Sequence, residues 1–266
     1  YLSLDDPLQK WLPSRPNVAG SITIRQLLNH TSGLYMFWEN QKIWDDLKKD
    51  RSRVWSPEEV LGYLQEPYFL PGKGHRYSST NFLLLAMIIT KLTGSTLSAA
   101  LRSSFWKPLG LESAYLAIEE SAPGPLAHVW GDNFEENGTL RDLTVLPRAS
   151  HDTIAYGSAG VFMTAGDLAR WSQALFQGKV VSGASLAAML DFQGFGYRGL
   201  GVARFGGRFS NGRVAYGHSG GNIGTTAFMI YLPDVRASLA VMLNTFDGSG
   251  ASAVTQSLIK VLTEDL

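Results

Sequence analysis

The chain has 266 residues, and its 23 Lys and Arg residues balance its 23 Asp and Glu residues. Without net charge it has no basic field to recruit nucleic acid or an anionic membrane surface. It has no cysteine, which excludes disulfides, thiol catalysis and cysteine-ligated metals. The longest apolar run, residues 82–89, is too short to span a membrane.

Capping residues and breakers predict five helices in the first two thirds of the chain. Thr23 and Ser56 are typical N-caps, Pro57 suits a first helical turn, and Gly94 suits a C-terminal end. The predicted helices cover residues 23–34, 56–64, 81–93, 95–110 and 164–176.

The last quarter of the chain is typical of strands separated by Gly, Asn and Pro-Asp turns. Four strands are predicted, at residues 197–205, 213–220, 226–233 and 237–245, followed by a helix at 253–262. A helical body that precedes an antiparallel sheet predicts the α+β class. We therefore expect one domain over 1–266, mainly helical over 21–190, with the sheet and a closing helix over 191–266.

The string Gly-His-Ser-Gly-Gly at 217–221 fits G-x-S-x-G, the pattern of the nucleophile elbow of α/β-hydrolases. An elbow needs a helix after the serine and a histidine further along the chain, but residues 226–233 are strand-like. In a trypsin-like protease the His and Asp precede the serine, but the double β-barrel of such a protease does not fit the helical first half of this chain. The elbow also lacks its histidine, because none of the five follows Ser219: they are His30, His75, His128, His151 and His218. In a simpler interpretation, the glycines let a strand bend or pack closely.

Six stretches, in order, resemble the serine β-lactamase-related family, which includes class C β-lactamases, penicillin-binding proteins, D-specific peptidases and family VIII esterases. The resemblance extends from residue 2 to about 245. The stretches are LSLDDPLQKWLP, ITIRQLLNHTSGL, PGKGHRYSSTNFLLLAMIITKLTG, PLGLESA, AYGSAGVFMTAGDLARW and GHSGGNIG.

The resemblance implies a β-lactamase/DD-peptidase-like fold with three motifs around one cleft. Tyr77 takes the place of the tyrosine of the second motif, Tyr-x-Asn, and would take or relay a proton. His218, Ser219 and Gly220 take the place of the third motif, Lys/His-x-Gly, where the first residue supplies positive potential. The backbone N–H of Gly221 would be one oxyanion donor.

Two departures from the motifs affect the substrate. Ser79 stands where the family usually has the asparagine that grips a substrate carbonyl, and Asn81 is expected to point elsewhere on the following helix. His218 stands where class C β-lactamases have lysine. Both departures favour an ester or a D-amino-acid-containing peptide or amide over a β-lactam.

Other positions carry weaker expectations. By resemblance, Tyr156 lines the substrate pocket. Residues 35–38 form either a pocket rim or an aromatic core patch, and Asn29 and His30 are expected to stabilise their own turn. His75, His128 and His151 have no metal-ligand spacing, so no metal is expected.

The family's first motif, S-x-x-K, carries the nucleophile on a helix shortly before LSLDDPL. The two S-x-x-K strings in the sequence, at 104–107 and 257–260, lie elsewhere and are interpreted as chance matches. We therefore expect that an N-terminal part of the domain is missing from this sequence. Three alternatives stay open for that segment: it is unsequenced, it is cleaved but still bound as a partner of the chain, or it is lost.

The expected function is that of a serine hydrolase that forms an acyl-enzyme on a small-molecule or peptide substrate, without metal or organic cofactor. A catalytically inactive remnant that serves as a binding or regulatory domain is one alternative. A lipase with Ser219 as nucleophile is another. The compartment is left open, with a periplasmic or secreted location favoured by the resemblance.

Overall fold

A computed structural model of the chain describes residues 2–132, 139–192 and 197–264. These residues form two compact units. The first unit comprises Tyr1–Ser104, Tyr115–Ser121 and Pro147–Val161, and the second comprises Phe105–Ala114, Ala122–Leu146 and Phe162–Leu266.

Short helices around one long helix make up most of the first unit. Their ends follow the sequence signals, because Thr23 and Ser56 each close a capping box at the start of a helix. The helices are α1 (Ile24–Leu28), α2 (Gln41–Lys49), α3 (Pro57–Leu61), α4 (Ser79–Thr93), α5 (Leu97–Leu101) and α6 (Ala149–Ile154).

The long helix α4 is the centre of the first unit's core. It begins two residues before the predicted start and ends at Gly94, whose φ of 62° is left-handed as expected for a helix C-terminus. Leu83, Leu84 and Ile88 on α4 are at most 1% exposed. The core they belong to also contains Leu27 of α1, Ile43 of α2 and Val60 of α3.

Several predicted boundaries in the first unit were wrong. α1 ends at Leu28 instead of residue 34, because His30 takes a left-handed φ of 61° that no α-helix can continue. The helix expected over 95–110 ends as α-helix at Leu101 and continues as a π-helical turn, Arg102–Trp106. α2 was not predicted, because the aromatic residues around it hid its Asn40 cap.

The second unit is built on a four-stranded antiparallel sheet. Its strands are β5 (Ala203–Phe205), β6 (Ala215–Asn222), β7 (Thr225–Leu232) and β8 (Ala237–Leu243), in that order across the sheet. All four lie within the predicted strands or extend them by one or two residues. Short strands that precede them in the chain lie outside this sheet, the first of them in the first unit: β1 (Tyr115–Leu116), β2 (Trp130–Gly131), β3 (Arg141–Asp142) and β4 (Val161–Phe162).

Helices cover both faces of the sheet in the second unit. Met229 and Tyr231 of β7 pack with Phe176 of α7 (Ala165–Phe176). The alternating residue Ile230 packs with Ile259 of α9 (Gly248–Glu264), and side chains alternate between the faces of a strand. Thr164 caps α7 as predicted, whereas α8 (Gly183–Met189) was not predicted.

The subdivision at residue 190 was drawn by secondary-structure content, and the single domain over 1–266 stays a prediction. The compact units divide the chain differently, since α7 and α8 belong to the same unit as the sheet and pack side chains around Tyr231. No single helix in the described ranges is long and apolar enough to cross a membrane, although α4 and the segment Leu97–Trp106 pass that test as a pair bent by 77°.

Candidate functional site

Tyr77 lies in the first unit, two residues before α4, and its side chain reaches the surface. The residue is 38% exposed, which a core tyrosine would not be. Its ring lies over the ring of His30, with centroids 4.3 Å apart and planes tilted by 33°. The residue is therefore partly exposed to solvent, and its ring rests on a buried side chain.

His30 fixes the backbone around Tyr77. The side chain is 2% exposed, and its Nδ1 accepts a hydrogen bond from the backbone N–H of Ser78 at 3.2 Å. Because a backbone amide can only donate, Nδ1 is unprotonated and the ring proton lies on Nε2. The carbonyl of His30 accepts from the N–H of Arg76 at 3.1 Å. His30 was expected to stabilise its own turn, and the structure shows that it also holds residues 76–78.

Asn81 points into the protein, as expected from its place on the helix. Its Nδ2 lies 3.1 Å from Nδ1 of His30, and its Oδ1 accepts from the hydroxyl of Ser32 at 2.6 Å. Asn81 is fully buried. It therefore supports the loop that carries Tyr77 and does not replace the asparagine of the family's second motif.

Ser79, the predicted substrate-binding residue, is the first residue of α4 and is buried, at 6% exposure. Its backbone N–H donates to Sδ of Met36 at 3.0 Å. On either side of it, the hydroxyls of Ser78 and Thr80 donate to the carbonyl of Tyr35. A substrate contact of Ser79 stays a prediction.

Residues 35–38 belong more to the core than to a pocket rim. Tyr35 is 8% exposed and Phe37 is fully buried, and both are members of the first unit's core. Of the two interpretations of this aromatic run, the structure supports the core patch.

Tyr156 lines a cavity of about 550 Å³ within the first unit. Its hydroxyl donates to Oε1 of Glu119 at 2.9 Å, and burial, together with this carboxylate, raises the pKa of Tyr156. Among the described residues, the cavity wall includes neither Tyr77 nor Ser79. The structure therefore does not bring the three predicted residues of this unit together in one cavity. The wall includes Trp55, Met87, Leu116, Glu119, Asp152 and Tyr156.

A charged cluster that was not predicted lies at the wall of this cavity. Asp152 is 5% exposed, and Nδ1 of His151 and the guanidinium of Arg148 contact its carboxylate. Burial acts to raise the pKa of Asp152, but the hydrogen bond from His151 and the charge of Arg148 outweigh it and lower the pKa. The carboxylate of Asp152 is therefore ionised, and the positive charge of Arg148 balances it within the fold. Nothing in the sequence pattern marks this cluster.

His218 lies on β6 of the second unit, opposite Met229 of β7. Two contacts fix its ring. Nδ1 lies 2.6 Å from the carbonyl oxygen of Ser219, and Nε2 lies 2.9 Å from Nη1 of Arg198. A carbonyl only accepts and a guanidinium only donates, so His218 is neutral with its proton on Nδ1.

Electrostatics favour the same neutral form. Burial lowers the pKa of His218, and the charge of Arg198 lowers it further, against an opposing hydrogen bond to Ser219. This contradicts the expectation that His218 itself supplies positive potential. Arg198 was not predicted, because it precedes the motif by 20 residues and no local pattern connects the two.

Ser219, Gly220 and Gly221 continue β6 as exposed residues. They pair with Phe228, Ala227 and Thr226 of β7, and the connection is a hairpin turn at Gly224. A strand, not a helix, therefore follows Ser219, and the elbow interpretation is wrong. We refer to residues 218–221 as the β6 edge.

Gly217 is required by close packing between strands. A Cβ at this position would lie 1.8 Å from the carbonyl oxygen of Met229, whereas one at Gly220 would meet no atom within 4 Å. The simple interpretation of the glycines as packing residues therefore holds for Gly217.

Neither S-x-x-K string forms a nucleophile pair. On α9, the hydroxyl of Ser257 donates to the carbonyl of Ala253, and Lys260 pairs with Glu264. Ser104 lies in the exposed π-helical turn, and Lys107 follows it on the surface. That both strings are chance matches stays a prediction. Within the described residues, no group of three His, Asp or Glu side chains could hold a metal ion.

Comparison with known proteins gives one consistent answer. The family model described as Beta-lactamase matches residues 1–262. Penicillin-binding protein 4* of Bacillus subtilis is 30% identical over 261 residues, covering 91% of this chain and 55% of that protein. D-aminopeptidase of Brucella anthropi is 26% identical over 267 residues, covering 97% of this chain and 48% of that protein. The chain thus spans about half the length of these curated relatives.

Solved structures agree with the sequence comparisons. The D-stereospecific amidohydrolase from Streptomyces sp. has a TM-score of 0.83 and 30% identity, covering 96% of this chain and 79% of that one. The D-amino acid amidase from Ochrobactrum anthropi SV3 has a TM-score of 0.82 at 24% identity, covering 99% and 78%, and shows the fold alone. The predicted β-lactamase/DD-peptidase-like α+β fold is confirmed, and the chain belongs to the Beta-lactamase family.

Proposed function

We propose that this chain is part of a serine hydrolase that works through an acyl-enzyme, and that its substrate is a D-amino-acid-containing peptide, amide or ester. The observation that carries the proposal is the presentation of Tyr77. It is a partly exposed tyrosine on a segment whose backbone is held by the buried side chain of His30, which Asn81 in turn contacts. Immobilised, solvent-facing tyrosines are suited to proton transfer, because their geometry is set before the substrate arrives.

In this proposal Tyr77 accepts a proton from the attacking hydroxyl and returns it to the leaving group. In the second unit, the exposed backbone of Ser219, Gly220 and Gly221 is accessible to the acyl group of a substrate, and the N–H of Gly221 would stabilise the oxyanion. The hydroxyl of Ser219 would orient the substrate. Tyr156 would contact a substrate in its cavity. Its hydroxyl already donates a hydrogen bond to Glu119 there.

The nucleophile is proposed to come from residues outside this sequence. Both S-x-x-K strings inside it are committed to other contacts or lie on an exposed turn, as described above.

Two features favour a D-configured peptide or amide over a β-lactam. The amide side chain of the second motif is replaced by the buried Ser79. In addition, two relatives bear names that refer to D-amino-acid substrates, a D-aminopeptidase and a D-stereospecific amidohydrolase.

Hydrolysis of D-alanine and L-alanine p-nitroanilides by wild-type protein and by Tyr77→Phe tests the proposal. We expect a preference for the D-isomer, and a loss of about 10²- to 10⁴-fold in kcat for Tyr77→Phe, because general acid–base catalysis is worth that much. The hydroxyl belongs to an exposed residue, so its removal should leave the melting temperature within about 2 °C. Tyr63→Phe is a control that removes a tyrosine hydroxyl bound to Asp46 elsewhere in the unit. Equal activity of Tyr77→Phe and wild type would contradict the role of Tyr77.

A further inference from the structure

Phe246 follows the last strand of the second unit and is one of the most exposed apolar residues there, at 72%. Its ring nevertheless has a fixed neighbour on β6. A Cβ added at Gly221 would lie 2.5 Å from Cε2 of Phe246, which is closer than two unbonded carbon atoms can approach. The ring therefore lies directly against Gly221, in the space that the side chain of another residue would need.

One hydroxyl holds the backbone on both sides of Phe246. Thr226 lies opposite Gly221 on β7 and is buried. Its Oγ1 donates to the carbonyl of Thr245 at 3.0 Å and accepts from the N–H of Asp247 at 2.9 Å. Residue 246 is thus fixed between two hydrogen bonds to the strand that pairs with the β6 edge.

The ring of Phe246 lies on the same face of the sheet as the side chain of Ser219. Side chains alternate along a strand, so a Cβ at Gly221 and the side chain of Ser219 point to one face. Ser219 lies opposite Phe228, which belongs to the same apolar cluster as Ile259 of α9. The ring is therefore on the α9 face, next to the exposed part of the β6 edge.

Burial of the ring does not account for this arrangement. A residue that is 72% exposed removes little apolar area from water, so Phe246 adds little to the stability of the fold. An exposed aromatic side chain that is held in place is suited to recognition instead, because a ligand meets a surface that is already ordered.

We propose that Phe246 determines specificity by contacting an aromatic or branched apolar group of a substrate that is bound along the β6 edge. An extended compound that lies along a strand places alternate groups on its two faces, and the surface on each face selects among those groups. The group on the α9 face would lie against the ring of Phe246. The substrate class that follows is a D-configured amide, ester or peptide with a bulky apolar group close to the carbonyl that reacts. This reaction rests on the proposed function, whereas the binding preference does not.

The position of the ring is tested by NMR, because an aromatic ring displaces the resonances of protons that lie against it. The Hα resonances of Gly221 should be displaced in wild type and should return towards ordinary glycine values in Phe246→Ala. Thr226→Val, which removes the hydroxyl, should reduce the displacement, whereas Thr226→Ser, which keeps it, should not. Equal Hα shifts of Gly221 in wild type and Phe246→Ala would overturn the inference.

The apolar preference is tested by binding of N-acetyl-D-phenylalaninamide and N-acetyl-D-alaninamide, followed by NMR shifts at residues 218–221. Wild type should bind the phenylalanine compound about threefold to tenfold more tightly, because an aromatic pair contributes about that factor to an affinity. Phe246→Ala, a change at an exposed residue that should leave the fold intact, should reduce the preference to less than about twofold. Phe246→Leu, which keeps an apolar surface, should give a preference between those of wild type and Phe246→Ala.

Val261→Ala is the matched control, because Val261 is 66% exposed and lies at the end of α9 that is far from Phe246. It should leave the preference unchanged. An equal loss of preference in Val261→Ala and Phe246→Ala, or no preference in wild type, would refute the role of Phe246. Failure of the proposed function would show separately, as absence of hydrolysis of the D-phenylalanine and D-alanine p-nitroanilides with the binding preference intact. Hydrolysis of these two p-nitroanilides with equal kcat/KM would refute the role of Phe246 and leave the proposed function standing.

Discussion

Replacement of His30 should destabilise the first unit more than any other single change around Tyr77. In His30→Ala, the N–H of Ser78 and the Nδ2 of Asn81 lose their buried acceptor. An unsatisfied buried donor costs about 1–3 kcal/mol, so two give about 2–6 kcal/mol before the loss of packing against Tyr77 and Phe82 is counted. This is a large share of a domain's free energy of unfolding, which is about 5–15 kcal/mol.

The matched variant is His30→Asn. Asparagine tolerates the left-handed φ of 61° at this position, and its side-chain oxygen can accept where Nδ1 did. We expect urea unfolding to show a loss of about 3 kcal/mol or more for His30→Ala and less than half of that loss for His30→Asn. Equal losses in the two variants, or a loss below about 1 kcal/mol in His30→Ala, would refute the role assigned to the Nδ1 acceptor.

Two further predictions concern the sheet of the second unit. Gly217→Ala should lower the free energy of unfolding by about 2 kcal/mol or more, because its Cβ would lie 1.8 Å from the carbonyl oxygen of Met229. In the same urea titration, Gly220→Ala should change the free energy of unfolding by less than about 1 kcal/mol, because its Cβ would meet no atom within 4 Å. Similar effects of the two alanines would contradict the register of β6 and β7. The lowered pKa of His218 means that the unfolded chain binds the proton first as the pH falls. The contribution of His218 to stability is therefore complete above its ordinary pKa of about 6.5 and is lost as the pH falls below that value towards the lowered pKa. Melting temperatures between pH 7.5 and 5 should fall less steeply for His218→Asn than for wild type, and parallel curves would contradict the neutral state of His218.

The parts of the fold that the sequence predicted are those with local signals. Capping residues and glycines placed the starts or ends of α1, α3, α4 and α7, and Gly, Asn and Pro-Asp turns placed the strands of the sheet. α2 and α8 were missed because their helical signals are weak beside the neighbouring aromatic residues and glycines. The end of α1 was misplaced because the left-handed turn at His30 is imposed by tertiary hydrogen bonds, which no local pattern encodes.

The candidate site was predicted only in part, for a similar reason. Tyr77 and the β6 edge could be located because each belongs to a short motif. Their partners could not be, since His30 and Arg198 lie 47 and 20 residues before them in the sequence. The charge of a histidine depends on such partners, and for that reason the expected cation at His218 is found on Arg198.

Intact-mass analysis after incubation with a fluorophosphonate tests whether this chain takes part in an acyl-enzyme mechanism. A parallel incubation with a penicillin probes the less favoured substrate. We expect a covalent fluorophosphonate adduct on a serine outside the two S-x-x-K strings, on this chain or on a segment bound to it, and slower labelling in Tyr77→Phe. An adduct on Ser104, Ser219 or Ser257, or no adduct on protein shown to be folded, would contradict it.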